Sequence, residues 1–323
     1  MNETMYKNRK YNSIKNTILI CIATVFFIIG PILMANWQIE TSKQKTSAIS
    51  LVKNIHLRDG DHALKILAFH GFDMALIRRG RMAVPEIYFA NLPRELLRLK
   101  DVKIKKKLFF SALLPAILKV NQTIRQSRKK LKSIIFKITI GEDVSEADYY
   151  WLTQKLIRYK VKVGDVRHFV THTGNILGQL LNRMNIIPPE LALAQAAQES
   201  GWGTSRFAQQ GNALYGEWTW GTGCGIVPSK REKGKKHRIK CFKTIIRAVD
   251  SYVLNLNTHK GYREFRQKRS LYRDDQVIDV MRLVDTLTNY SEEGAAYVTK
   301  IKNIIRVNRL NDFKKSRLEP SQS

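Results

Sequence analysis

Within the 323 residues, the stretch that most restricts the fold is Ile186-Ile-Pro-Pro-Glu-Leu-Ala-Leu-Ala-Gln-Ala-Ala-Gln-Glu-Ser-Gly-Trp-Gly203. Pro188 or Pro189 suits the first turn of a helix, where no amide proton is needed. Glu190 falls at the positive end of the helix dipole. The Ala-Leu-Ala-Gln-Ala-Ala run is strongly helix-forming, and its small side chains let neighbouring elements approach closely, as a central core helix must. Gly201 is a natural C-terminal cap. Glu199 therefore lies in the last turn, where the dipole disfavours a carboxylate and raises its pKa, and neighbouring Trp202 adds desolvation in the same sense. A carboxylic acid kept protonated near neutral pH is what a glycosidase needs to protonate a leaving glycosidic oxygen. The competing reading is a surface glutamate at a helix end. Its face, shared with Gln195, Ala196 and Ala192, is not a plain charged solvent face.

Charge narrows the partners. Lys and Arg number 56 against 27 Asp and Glu, a net +29 with a pI near 10.1. Such a chain seeks a polyanion: nucleic acid, anionic lipid or an anionic wall polymer. An apolar content of 44% with 26% charged residues excludes wholesale disorder, and 3 cysteines exclude a disulfide-dense scaffold. Thr17 to Ala35 is uncharged and rich in Ile, Leu, Val and Phe, with Lys7, Arg9, Lys10 and Lys15 before it. That run is long enough to nearly span a bilayer core, and the basic flank would stay cytoplasmic. We read it as an uncleaved single-pass inner-membrane anchor with the bulk of the chain in the periplasm. The alternative is a signal cleaved after Leu33-Met34-Ala35, giving a soluble periplasmic protein, although Leu33 is a poor cleavage residue. Export removes nucleic acid as a partner, and neither an aromatic-interleaved motif nor a paired Cys/His site is present. The bilayer surface and the cell wall remain.

The chain divides into a cytoplasmic tip and anchor (1–39), a basic, mostly helical region (40–160), a domain carrying the chemistry (161–310) and a flexible tail (311–323). Leu108 to Ile135 predicts a long helix kinked or begun near Pro115. Asp143 or Ser145 caps another that runs to Lys160. Asn175 to Met184 continues the helical pattern, and Leu64 to Leu76 fits a short helix or a strand. The basic stretches Arg78–Arg81, Lys103–Lys107 and Arg125–Lys132 read as solvated faces or as adhesion to an anionic membrane.

Ala194-Gln-Ala-Ala-Gln-Glu-Ser-Gly-Trp-Gly-Thr-Ser-Arg-Phe207, followed by Gly211-Asn-Ala-Leu-Tyr-Gly216, resembles the glucosaminidase domain of glycoside hydrolase family 73, which includes the flagellar peptidoglycan hydrolase. With Val84-Pro-Glu, Lys106–Pro115, Gly221-Thr-Gly-Cys-Gly-Ile-Val-Pro228 and Tyr290-Ser-Glu-Glu-Gly-Ala-Ala-Tyr-Val298, the sequence is most similar to the bacterial Bax-type members, over Ala83 to Asn308. The resemblance implies a mainly α, lysozyme-like α+β domain with a small β lobe, preceded by a helical region and the membrane helix. It implies hydrolysis of the β-1,4 bond after N-acetylglucosamine in peptidoglycan, with Glu199 as general acid. It places Asn212, Tyr215 and Gly216 in a turn beside the groove. Tyr290 is implied to line the catalytic site, with Tyr297 following in the same motif.

The resemblance implies a second carboxylate from the β lobe, between Gly216 and Phe242, where only Glu217 and Glu232 occur. Cations beside Glu232 would keep it ionised, as a base or charge stabiliser requires. The family's Thr-x-Glu-Tyr pattern is missing, so Glu217 and assistance by the substrate's N-acetyl group stay open. Trp202, Trp218, Trp220, Tyr215 and Tyr262 suit a groove that stacks on sugar faces. Cys224 and Cys241 form a disulfide or stand as two thiols. The 7 His show no metal-binding spacing, and carboxylate glycosidase chemistry calls for no metal or cofactor. A lytic transglycosylase and a non-catalytic peptidoglycan-binding protein are the rival readings, and the oligomeric state stays open.

Overall fold

A computed structural model describes residues 52–162, 166–229, 231, 234–272 and 278–320. The segment Thr17–Ala35 with its basic flank lies outside them. Among the described residues no helix is long and apolar enough to cross a membrane.

The described chain is mainly helical. Two short helices, α1 (Gly60–Phe69) and α2 (Met74–Arg78), are opened by the side chains of Asp59 and Asp73. They resolve the helix-or-strand ambiguity of Leu64 to Leu76 in favour of helix. Next comes α3 (Val102–Thr139), capped by Asp101 and carrying Pro115 internally. It begins a full three turns before Pro115, because burial of Leu108 to Leu118 on all sides outweighs the hydrogen bond that proline removes. Ser145 caps α4 (Glu146–Arg158), and α5 (Val166–Arg183) follows. Then comes α6 (Pro189–Ser200), with Pro189 at its first position and Gly201 left-handed at φ 56°.

After α7 (Arg206–Gly211), three short strands form the small sheet: β1 (Trp218–Thr219), β2 (Gly225–Ile226) and β3 (Arg238–Lys240). Their order is β1-β3-β2, antiparallel throughout, with Ile239 opposite both Trp218 and Ile226. The chain closes with α8 (Ile245–Thr258), α9 (Arg263–Ser270), α10 (Val280–Val284) and α11 (Ala295–Val307), with tight 3₁₀ turns at 260–262 and 285–290.

The core forms around α6, whose residues from Leu191 to Ala197 are buried, and α3, α8 and α11 are packed into the same body. Residues 52–323 form one compact unit, in which α3, from the region expected as 40–160, packs with α6, from the region expected as 161–310. Asn121 of α3 shows why. Its buried amide donates to the Ile187 carbonyl at 2.7 Å and accepts from the Ile187 amide at 3.2 Å, fixing the entry to α6. Arginines cap the end of α5 in the same interior. Arg128 donates to the carbonyl of Met184 at 2.9 Å, and Arg269, fully buried, to those of Ile186 and Asn182 at 2.9 and 3.0 Å. Phe313 and Leu318 are buried, and Val84 exchanges backbone hydrogen bonds with Arg317 and Glu319 at 2.8 and 3.0 Å.

Candidate active site

The last turn of α6 carries Glu199 to the edge of the core, where four tyrosines from other elements gather: Tyr252 of α8, Tyr262 and Tyr290 of the 3₁₀ turns, and Tyr297 of α11. The Tyr290 and Tyr297 rings stack with centroids 5.3 Å apart, and Tyr262 lies 5.7 Å from Tyr290. Tyr252 stacks on Tyr215 at 3.8 Å. Glu199 is half-buried and faces the Tyr297 hydroxyl, whose hydrogen bonding favours the ionised carboxylate. Burial pushes its carboxyl up to about 7; the Tyr297 hydrogen bond opposes that rise, and the charge of Glu293 adds to it. An acid titrating there is protonated in a large fraction of molecules at neutral pH, as a proton donor to a glycosidic oxygen must be.

Gly216 brings the opposite wall to this carboxyl. Its φ is +65°, and a Cβ placed on it would stand 3.2 Å from Glu199 Oε2. Only a glycine lets backbone approach so closely in that conformation. The turn that carries it is pinned by Asn212, left-handed at φ 49° and buried, whose amide donates to the carbonyls of Ala90 and Phe242, each at 3.1 Å. Both amide protons of Asn212 are thus spent on backbone, which makes it a post for the turn. The Tyr290 hydroxyl donates to the Tyr215 carbonyl at 3.1 Å, tying the 3₁₀ turn to the same loop. The Tyr215 hydroxyl is buried without a hydrogen-bond partner.

Trp202 points elsewhere. At φ +59° it turns its ring against Phe109 and Phe110 of α3, with centroids 5.9 and 5.6 Å away, under the Lys106 ammonium at 4.5 Å. The burial of Glu199 is therefore a tyrosine environment and not a tryptophan one. Trp218 and Trp220, by contrast, are exposed at the sheet; Trp218 stacks on His237 at 4.5 Å and meets Trp220 edge-on at 6.0 Å. Cys224 and Cys241 are joined as a disulfide with Cα atoms 5.4 Å apart, clamping the sheet. Gly211 makes room for it, since a Cβ there would lie 2.5 Å from that of Cys241.

Of the two candidate partner carboxylates, Glu232 lies outside the described residues. Glu217 directly follows Gly216. Burial raises its carboxyl, while the Lys240 charge and hydrogen bonds from Ser251 and Lys240 pull it back down. Ser251 Oγ donates to Glu217 Oε2 at 2.8 Å, the Lys240 ammonium stands 3.7 Å from the same oxygen, and Oε1 is buried without a partner. Tyr262 feels the charges of both Glu199 and Glu217. Glu293, which the motif reading passed over, is exposed and paired with Lys300 at 2.7 Å. Its sequence signal was its place inside Tyr290-Ser-Glu-Glu-Gly, three residues beyond the site tyrosine. Gln195 and Tyr252 were also missed as site residues.

Among the described residues no group of three or more His, Cys, Asp or Glu is placed to hold a metal. An open cleft of about 440 Å³, lined by Arg78, Arg79, Arg309 and Asp312 among others, lies at the opposite end of α11 from Tyr297 and contains neither Glu199 nor the tyrosines around it.

Residues 174–310 match the family described as glucosaminidase, mannosyl-glycoprotein endo-beta-N-acetylglucosaminidase. This part of the chain is similar to a glycosidase domain, and it holds α6, the small sheet and Glu199. The chain is 34% identical over 195 residues to Protein bax of Escherichia coli (strain K12), an alignment covering 60% of this chain and 66% of the relative, just under two thirds of its length. No solved structure gives a significant match. Over these residues the chain is similar to Bax-type glucosaminidase-domain proteins.

Proposed function

We propose that this protein is a peptidoglycan hydrolase that cleaves the β-1,4 bond after N-acetylglucosamine, with Glu199 as the general acid. The observation that carries the reading is the Glu199 carboxyl, raised to about 7 by burial and held by Tyr297 against the bare backbone of Gly216. In this reading Glu199 donates its proton to the leaving oxygen as positive charge develops on the sugar ring. Tyr297 stabilises the carboxylate left behind. Trp218, exposed on the sheet, offers a flat face for a sugar. The chain's anchoring through Thr17–Ala35 and its residence in the periplasm belong to the same proposal and rest on the sequence alone.

A one-carboxylate variant has its own support. Glu217 is tied to Ser251 and Lys240, which leaves Glu199 as the carboxyl free to exchange a proton. Such a site suits assistance by the substrate's N-acetyl group, or a transglycosylase using a single acid. The test is to digest purified peptidoglycan with the full chain and identify the new ends by mass spectrometry. Reducing N-acetylglucosamine ends that vanish with Glu199→Gln support the proposal. Anhydro-muramyl ends point to the transglycosylase. No new ends, or a Glu199→Gln variant as active as the parent, defeats the enzymatic reading.

A further inference from the structure

We infer that Gln195 is a positioning residue for Glu199, ordering a hydrogen-bond chain Tyr252–Gln195–Tyr297 so that the last hydroxyl must donate to the Glu199 carboxylate. The inference rests on the reading of Glu199 as the acid. Gln195 sits one helical turn before Glu199 on α6 and is completely buried among alanines and leucines. A glutamine is costly there unless both ends of its amide are used. They are: the Tyr252 hydroxyl donates to Gln195 Oε1 at 2.7 Å, and Gln195 Nε2 donates to the Tyr297 hydroxyl oxygen at 2.8 Å.

Each phenol has one proton to give. Tyr252 spends its proton on the amide oxygen. Tyr297 accepts from the amide nitrogen and so keeps its own proton for Glu199, the carboxyl its hydroxyl faces. Reversing the amide would draw the Tyr297 proton back to Gln195 and leave an ionised Glu199 without its donor. With Glu199 ionised, only the observed order supplies a proton to it. An amide accepts through its oxygen and donates through its nitrogen, whereas a leucine would fill the same space without setting any direction. Linked donors of this kind polarise one another, so the terminal bond is strengthened by the bond behind it.

The groups facing Glu199 are few. Tyr297 comes from α11, Glu293 from the turn before it, Tyr290 and Tyr262 from the 3₁₀ turns, and Tyr252 from α8 behind Gln195. Glu217, next to Gly216, shares with Glu199 an effect on Tyr262. The four tyrosines stay neutral through the physiological range because burial holds each phenol above its ordinary value. A change of Glu199 titration on altering Gln195 is therefore not transmitted by a second ionisation.

The test compares the full chain with Gln195→Leu and Tyr252→Phe. Glu199 is titrated by carboxyl carbon NMR, its signal assigned by loss in Glu199→Gln, and peptidoglycan solubilisation is followed across pH. Gln195→Leu should move the Glu199 midpoint upward by about half to one pH unit, the size of one weakened hydrogen bond to a charged group. The alkaline limb of the activity profile should move with it. Tyr252→Phe, which removes a single oxygen, should move both in the same direction by less, and carries the test if Gln195→Leu does not fold. Activity that falls in both variants with an unmoved midpoint would make Gln195 a packing residue and overturn the inference. An inert wild type whose midpoint still moves would defeat the proposed activity while leaving the positioning role intact.

Discussion

The two ends of α6 carry the same residue type under the same stress, and only one end forms a site. Glu190 in the first turn and Glu199 in the last are both pushed up to about 7, with burial the largest cause in each. At Glu190 burial overrides the favourable end of the helix dipole. Its carboxyl is 2% exposed, bonds to its own backbone amide, keeps Oε2 without a partner, and has Lys314 as its charged neighbour. Glu199 has a tyrosine hydroxyl in line, an ordered amide behind that hydroxyl, and a glycine where a side chain would otherwise close the space. A raised carboxyl alone therefore marks desolvation. A proton donor needs, in addition, a partner that stabilises the conjugate base and room for a reacting atom.

The sharpest way to break this contrast is to exchange each acid for its amide and assay peptidoglycan turnover. Glu199→Gln should lower the rate by about 10²- to 10⁴-fold, the range general acid catalysis supplies. Glu190→Gln should leave the rate within a small factor of wild type. Equal losses would mean that both act through the fold.

Stability against pH sharpens the comparison from the other side. A carboxyl raised in the folded state favours the protonated form. Its stabilisation is therefore complete below the unfolded value of 4.5 and is lost as pH rises through about 7. For Glu190 the whole effect is at most about 3 kcal/mol. Denaturant melts of the full chain should show stability falling between those two pH values. Glu190→Gln should flatten its share of that slope while activity persists, and Glu199→Gln should flatten a share while activity is lost. A melt indifferent to pH in Glu199→Gln and unchanged in Glu190→Gln would place all of the desolvation at the site end.

Much of the α6 end of this contrast was legible in the sequence. Proline at the start, glycine at the stop and alanine between them fix a buried helix from local chemistry alone, and its last turn had to hold Glu199. The sheet between Gly216 and Phe242 was legible only through the family resemblance, since its two- and three-residue strands are too short to show an alternating pattern. What surrounds Glu199 was not, because its partners are remote in the chain: Tyr252 lies 57 residues and Tyr297 102 residues from Gln195. Trp202 misled for the opposite reason. It is only three residues from Glu199, yet the left-handed turn at Gly201 and Trp202 swings its ring onto α3. The resemblance placed Asn212 beside the groove, but sequence cannot show that its amide is used by the Ala90 and Phe242 carbonyls. The chain end looked like a tail because a lone Phe313 or Leu318 shows no periodicity until Val84 pairs with it.

Gly216 gives a smaller test of the room that Glu190 lacks. Alanine there forces a side chain into a left-handed backbone and within 3.2 Å of Glu199 Oε2. The backbone strain should cost about 1 kcal/mol. The fall in turnover should exceed what that stability loss explains, with the melting transition only slightly lowered. A Gly216→Ala variant of full activity would show that Glu199 gives way freely and that the close approach has no part in placing it.

The smallest effect is expected at Glu293, whose exposed charge is the one neighbour that raises Glu199 through space. Removing it in Glu293→Gln deletes a like charge and also frees Lys300 from its 2.7 Å ion pair. Both changes favour the ionised form of Glu199. The Glu199 midpoint should therefore drop, by about 0.3 pH unit, since exposed charges act weakly through solvent, and the drop should shrink further in high salt. Glu190 should not respond, because Glu293 is absent from the charges that reach it. A Glu199 midpoint that stays fixed would leave burial and the Tyr297 bond as the only terms setting this acid. That would narrow the difference between the two ends of α6 to a single hydroxyl.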